Sequence, residues 1–232
     1  MLALRVTANE VDMNDAKKAT ERLAQAYADR GNPNGWFEEF YARAAGDIKE
    51  VYWADLKPHP LLLDWIERSP VSSGKRAITI GCGLGDDAQV LMDHGYEVIA
   101  FDISPSAIEM CRQRYPDSTV DFRVADLFAV PPEWKYGFDL VYECNTIQIL
   151  QGASRGEAIQ AIADLTAPRG EVIVSCRSRE KGEQLDDFPL PLDRDEIAGF
   201  LRAGLSESHF VAYNDDQDPP VPHFFAVYKR SN

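Results

Sequence analysis

The sequence predicts an open α/β sheet, mostly parallel, that holds a ligand across the carboxyl ends of its strands. Three observations carry that expectation. From residue 76 onward, apolar runs of strand length alternate with segments of helical pattern. The first run, Ala77-Ile78-Thr79-Ile80, breaks into Gly81-Cys82-Gly83-Leu84-Gly85. The next three runs end at Asp102, Asp126 and Glu143. Parallel strands joined by right-handed crossovers bring such termini to one edge.

Three helices are expected ahead of the sheet. The first covers 14–30, with Asn14 as its cap, Leu23, Ala24, Ala26 and Tyr27 on one side, and Gly31 as its stop. After the turn Asn32-Pro33-Asn34-Gly35, residues Trp36, Phe37, Phe40, Tyr41 and Ala44 recur at helical spacing up to Gly46. Pro58-His59-Pro60 opens the third, over 61–68, with His59 capping it. Together they predict a cap over 1–74, integral to the domain, above a core over 75–232.

Within the core, the glycines let the chain turn sharply out of a strand and let a ligand reach backbone that a Cβ would shield. Asp86 and Asp87 follow as first-turn acids that suit a helix dipole. The second strand, 96–101, ends in Asp102, placed to accept hydrogen bonds from both hydroxyls of a ribose. Ser104 caps the next helix and Pro105 takes its first position. A third strand, 120–124, runs into Asp126-Leu127, where the acid can receive an adenine amino group while Leu127 packs on the ring. The fourth, 138–142, ends at Glu143-Cys144-Asn145.

Beyond Leu150, Ser154 and Glu157 predict a capping box on a further helix. Residues 171–176 form a fifth strand, followed by a long polar connection, 177–192, of the kind that carries function. Asp193 with Glu196 caps another helix, stopped by Gly204. Two last strands, 209–213 and 223–229, form a hairpin across an acidic turn.

Four segments together resemble the class I S-adenosylmethionine-dependent methyltransferases: Gly81-Cys82-Gly83-Leu84-Gly85, Val98-Ile99-Ala100-Phe101-Asp102-Ile103-Ser104, Val124-Ala125-Asp126-Leu127 and Phe138-Asp139-Leu140-Val141-Tyr142-Glu143. Residues 35–65 are similar, more loosely, to the N-terminal cap of the thiopurine-methyltransferase-like small-molecule members. The resemblance implies a doubly wound, Rossmann-like sheet of seven strands, the last antiparallel. It implies S-adenosyl-L-methionine as cofactor and in-line methyl transfer to a sulfur, oxygen, nitrogen or halide acceptor on a small molecule.

Residue by residue, it implies that Gly81, Cys82, Gly83 and Gly85 hold the cofactor's amino-acid end, Asp102 and Ile103 its ribose, and Asp126 and Leu127 its adenine. Glu143 meets the cofactor's ammonium or the substrate, or stands as a strand-end acid in water. The family places an acid two residues before the first glycine, where it steadies the turn and the methionine end. Thr79 stands there instead, with a hydroxyl that can bond the loop but no charge. The aromatic stripe with Trp36, Tyr41 and Trp53 either packs as core or lines a pocket suited to a sulfonium and an apolar acceptor.

Two other classes compete. Asp102 would serve the ribose of an NAD(P)-dependent oxidoreductase equally well, but a G-x-G-x-x-G fingerprint starting at Gly81 needs glycine where Asp86 stands. A catalytically silent methyltransferase-like binding domain is the other, kept open by Thr79.

Composition narrows the setting. A net charge of −14 opposes a nucleic-acid surface, and 45% hydrophobic residues suit a globular core. Four cysteines without C-x-x-C spacing suggest reduced thiols and a cytoplasmic protein, and no run approaches the ~20 apolar residues of a membrane helix. No histidine, cysteine and acid set has metal-ligand spacing. No general base is legible, and alignment alone can supply ~7–11 kcal/mol of a displacement barrier.

Overall fold

The computed structural model describes residues 8–69, 74–150, 152–183 and 188–232, with side chains from residue 15 onward. The cap consists of α1 (Ala8–Ala28), α2 (Trp36–Ala44) and α3 (Pro60–Arg68). Helix α1 starts six residues before Asn14, so Asn14 is not its cap. The segment 8–13 contains no glycine or proline to stop the helix earlier. Expected positions hold for α2 and α3.

The core continues as β1 (Arg76–Ile80), α4 (Asp86–Asp93), β2 (Glu97–Asp102), α5 (Pro105–Arg114), β3 (Asp121–Val124) and β4 (Phe138–Cys144). It closes with α6 (Ala153–Leu165), β5 (Thr166–Arg177), α7 (Arg194–Ile197), α8 (Gly199–Arg202), β6 (Leu205–Asn214) and β7 (Pro222–Arg230). The seven strands form one sheet in the order β3-β2-β1-β4-β5-β7-β6. Strands β1 to β5 are parallel, and β7 runs antiparallel between β5 and β6.

Side chains of successive strand residues alternate between the two faces, and both faces are covered. Ile78, Ile80, Phe101, Val141, Val172 and Val174 pack with Ile159 and Ile162 of α6 and Phe200 of α8. Ala77, Val98, Ala100, Leu140 and Ile173 pack on the other face with Leu62, Leu91 and Ile108 from α3, α4 and α5. A third cluster joins Tyr41 and Ala44 of the cap to Leu84, Ala107 and Met110.

Within the core, local capping follows the sequence at Ser104 and Asp193 and departs from it at Ser154. The Ser104 hydroxyl accepts the Ala107 amide, and Asp193 and Glu196 form a complete capping box. The expected Ser154–Glu157 box is absent. Gly152, at φ +57, takes the entry position, so α6 starts at Ala153 and Ser154 falls inside its first turn. Strand β5 starts five residues before Glu171, and the connection after it is tied down rather than loose. The Arg179 and Leu192 amides bond the Leu192 and Arg177 carbonyls. Residues 184–187 of this connection lie outside the described residues.

Candidate functional site

Register places the critical termini side by side. Ile80 pairs with Phe101 on one side and Glu143 on the other, Asp102 pairs with Val124, and Cys144 pairs with Ser175. One edge therefore carries the glycine turn, Asp102, the Asp126 turn, Glu143 and Ser175.

The glycine turn leaves β1 through three left-handed residues: Gly81 at φ +57, Gly83 at +53 and Gly85 at +85. A Cβ on Gly81 would lie 2.5 Å from the Thr146 hydroxyl oxygen, and one on Gly83 would lie 3.3 Å from the Tyr41 hydroxyl. Glycine is required on both counts. Three amides of the turn already have partners: Cys82 N–H donates to the Phe101 carbonyl, Gly83 N–H to Asp102 Oδ2 and Gly85 N–H to the Cys82 carbonyl.

That explains a departure at Thr79. Its side chain is buried on the face shared with Ala77, and its hydroxyl has no partner among the described residues, so it does not bond the loop. The turn is braced by Asp102 instead. Asp102 is 6% exposed, accepts the Gly83 amide on Oδ2 and the Ser104 amide on Oδ1, both at 3.0 Å, and is pushed up to about 6 by burial. A carboxylate offers about four lone-pair sites, so each oxygen keeps capacity for a ligand hydroxyl. Ile103 follows, half-buried.

At the next strand end, Asp126 is half-buried and its Oδ1 accepts the Phe128 amide at 2.9 Å, while Leu127 is buried. Glu143 overturns one of its expected readings. It is wholly buried, not a strand-end acid in water, because Oε1 accepts the Thr146 and Ile147 amides at 2.5 and 2.9 Å. Oε2 has no partner among the described residues, and burial pushes the carboxyl up to about 7.

Above this edge lies the aromatic cap. Tyr41 is buried with its hydroxyl over Gly83, and the Trp53 indole N–H lies 3.4 Å from that hydroxyl. Trp53 stacks on Phe40 at 3.9 Å between centroids and meets Trp36 edge-on. Trp36 reaches the far connection instead, with the Phe188 ring 5.6 Å away. Helix α2 is held here by Glu38, which accepts from the hydroxyls of Ser104 and Ser106 at 2.6 and 2.7 Å and from the Ser106 amide at 3.0 Å. Burial opposes ionisation of Glu38, but these bonds outweigh it and lower its pKa.

The structure also assembles residues that sequence reasoning missed. His59 stands at the cap position of α3, yet its side chain makes no cap bond. Its Nε2 lies 3.0 Å from both the Tyr213 hydroxyl and the Ser175 Oγ, and its ring stacks on Phe225. Burial, with His223 nearby, lowers its pKa to about 4. No spacing rule links positions 59, 175 and 213. His94 sits at the end of α4, with Nδ1 2.8 Å from the Val90 carbonyl. Among the described residues no side-chain cluster could hold a metal, and no helix is long and apolar enough to cross a membrane.

Known proteins share the fold that carries this edge. Residues 77–170 match the family model of the methyltransferase domain. The chain is similar to a ubiquinone biosynthesis O-methyltransferase of Burkholderia lata, 26% identical over 208 residues, covering 78% of this chain and 88% of that protein. Its fold is similar to that of the N-methyltransferase NodS from Bradyrhizobium japonicum WM9 in complex with S-adenosylhomocysteine, with a TM-score of 0.62 and 18% identity over 94% of this chain and 99% of the other. Magnesium protoporphyrin IX methyltransferase from Synechocystis PCC 6803, solved with S-adenosylmethionine, aligns with a TM-score of 0.59 at 18% identity, covering 74% of this chain and 77% of the other. The insertion of antiparallel β7 between β5 and β6 removes the nicotinamide alternative, whose sheet lacks that strand. On sheet order, glycine turn and relatives together, the chain carries a methyltransferase domain over residues 77–170 within the fold of S-adenosylmethionine-dependent methyltransferases.

Proposed function

We propose that the enzyme methylates a hydroxyl oxygen of a small, largely apolar molecule held between the sheet edge and the aromatic cap. One observation carries this reading: a single edge gathers the glycine turn, Asp102 and Glu143 beneath Tyr41 and Trp53, with a histidine and two hydroxyls at the neighbouring strand.

The residues fit the cofactor. Three left-handed glycines open the backbone of residues 81–85 to its amino-acid end, with Cys82 between them. Asp102 keeps an unused lone pair on each oxygen for the ribose hydroxyls, with Ile103 beside it. Asp126 would take the adenine amino group over Leu127. The unpartnered Oε2 of Glu143 is an acceptor awaiting a donor. When bound, S-adenosylmethionine supplies a methyl group already activated on a sulfonium.

The protein's work is then alignment and exclusion of water. Trp36, Tyr41 and Trp53 would wall the acceptor, and Phe188 would close the wall from the 177–192 connection. Oxygen as acceptor atom is supported by the O-methyltransferase relatives. A hydroxyl must lose its proton, and Tyr213 hydrogen-bonded to neutral His59 would relay it away from the site. A net charge of −14 argues for a small acceptor rather than a nucleic acid, and four free cysteines suit the reducing cytoplasm.

Calorimetry with S-adenosylhomocysteine should show micromolar binding, with none for NADH. Transfer of labelled methyl groups to a panel of phenols, amines and thiols should then favour the phenols. Absence of S-adenosylhomocysteine binding at millimolar concentration would defeat the cofactor site, and exclusive labelling of amines or thiols would defeat the hydroxyl.

A further inference from the structure

Asp87 is the half-buried acid at this edge that the reading above leaves unused. Its neighbour Asp86 receives both terminal nitrogens of Arg114 at 2.8 Å and the Tyr115 hydroxyl at 2.9 Å. Asp87, one residue on in the first turn of α4, has no such cation. Its Oδ1 accepts the His59 amide at 2.7 Å, and the charges acting on it come from Asp86 and Asp55. Among the described residues no lysine, arginine or histidine side chain pairs with it. Burial pushes its carboxyl up to about 6. A carboxylate withdrawn from water without a counter-ion is costly, and a cationic ligand completes it.

Two further hydroxyls belong to the same face of the sheet. Thr79 and Tyr142 are directly paired across β1 and β4 and each is 2% exposed; the Thr79 hydroxyl has no hydrogen-bond partner among the described residues, and the Tyr142 hydroxyl is turned to Asp87. The Tyr142 hydroxyl is close enough to Asp87 for that carboxylate to hold its proton on, after burial the largest cause. The Asp87 carboxylate and the Tyr142 hydroxyl thus meet on the sheet face that Thr79 shares, next to the start of the glycine turn. An alkylammonium has three N–H donors, which matches three oxygens. Glu143 lies on the opposite face, two residues along from Val141 in the cluster that contains Ile78.

We propose that Asp87 binds the α-ammonium of the cofactor's amino-acid end, with Thr79 and Tyr142 as the accompanying oxygens. Helix α4 thereby supplies the negative charge that strand position 79 does not carry. The inference rests on the S-adenosylmethionine reading and deepens it: the acid has moved from strand to helix.

The test uses two ligands that differ at the amino-acid end, S-adenosylhomocysteine and 5′-methylthioadenosine, titrated calorimetrically into the full chain. Asp87→Asn keeps an oxygen for the His59 amide and removes the charge. It should weaken S-adenosylhomocysteine binding by about tenfold or more and leave 5′-methylthioadenosine within about twofold. Adding Thr79→Asp to that variant should restore most of the lost affinity, because the carboxylate returns to the same chamber from the strand. Equal loss for both ligands would show a structural role and overturn the proposal, as would unchanged S-adenosylhomocysteine affinity. Wild-type protein that binds neither ligand would instead overturn the cofactor reading and this inference with it.

Discussion

Asp102 serves two masters, the glycine turn and a ligand, and its substitution separates from that of an ordinary surface acid. Asp102→Ala leaves the Gly83 and Ser104 amides without their acceptor and removes the acceptor proposed for the ribose. Hydrogen bonds to a charged group contribute about 1.5–3 kcal/mol each, so S-adenosylhomocysteine affinity should fall by about a hundredfold in calorimetry. An unchanged affinity would remove Asp102 from the site. Protonation at the same residues gives a second expectation. Burial pushes Asp87 and Asp102 up to about 6 and Glu143 to about 7. A carboxyl whose folded pKa exceeds its unfolded value contributes stability below the unfolded pKa and loses it as pH rises through the folded one. The window here is about pH 4 to 7. His59, lowered to about 4, acts in the opposite sense, adding stability as pH rises from about 4 to 6.5. A ligand cation and ribose donors favour the ionised acids, so the rise in thermal midpoint caused by saturating S-adenosylhomocysteine should be larger at pH 7.5 than at pH 5. A flat or inverted dependence would contradict the assignment of these acids to the ligand.

Among the elements, α2 matters most because one side chain, Glu38, makes its hydrogen bonds to the start of α5. Removing Glu38 deletes three hydrogen bonds to Ser104 and Ser106 while leaving the apolar contacts of Tyr41 and Ala44 in place. Glu38→Ala should therefore speed amide exchange across 36–44 by about tenfold, with the central strands unchanged. Equal acceleration in β1 and β4 would mean that α2 is not a separate local unit. The connection after β5 meets α2 through the rings of Phe188 and Trp36. An aromatic pair contributes about 0.5–1.5 kcal/mol beyond its burial. Phe188→Ala should raise the KM for the acceptor several-fold without altering S-adenosylhomocysteine affinity. Loss of cofactor affinity would move Phe188 to the other half of the site.

For the molecule as a whole, we propose that residues 1–74 and the core unfold together. Tyr41, Ala44 and Val51 of the cap are buried against Leu84, Ala107 and Met110 of the core, so a detached cap would leave an apolar surface on both parts. Scanning calorimetry should show one transition whose calorimetric and van't Hoff enthalpies agree. Two resolved transitions would make the cap a separate folding unit.

Legibility from sequence divides along the range of the forces involved. The glycine turn, the Ser104 cap, the Asp193–Glu196 box and the alternating apolar strands are decided by contacts within a few residues, so a linear reading reaches them. The convergence of Asp102, Asp126 and Glu143 also follows, because parallel strands with right-handed crossovers leave their carboxyl ends on one side. Packing alone decided the remainder. His59 meets Ser175 and Tyr213 across 116 and 154 residues of chain, Thr79 loses its expected loop contact because neighbouring amides are already engaged, and Asp87 is left without a cation while Asp86 is satisfied. Local sequence chooses where the backbone turns, but burial and counter-ions depend on which distant groups fill the space, and those set the charge that a ligand meets.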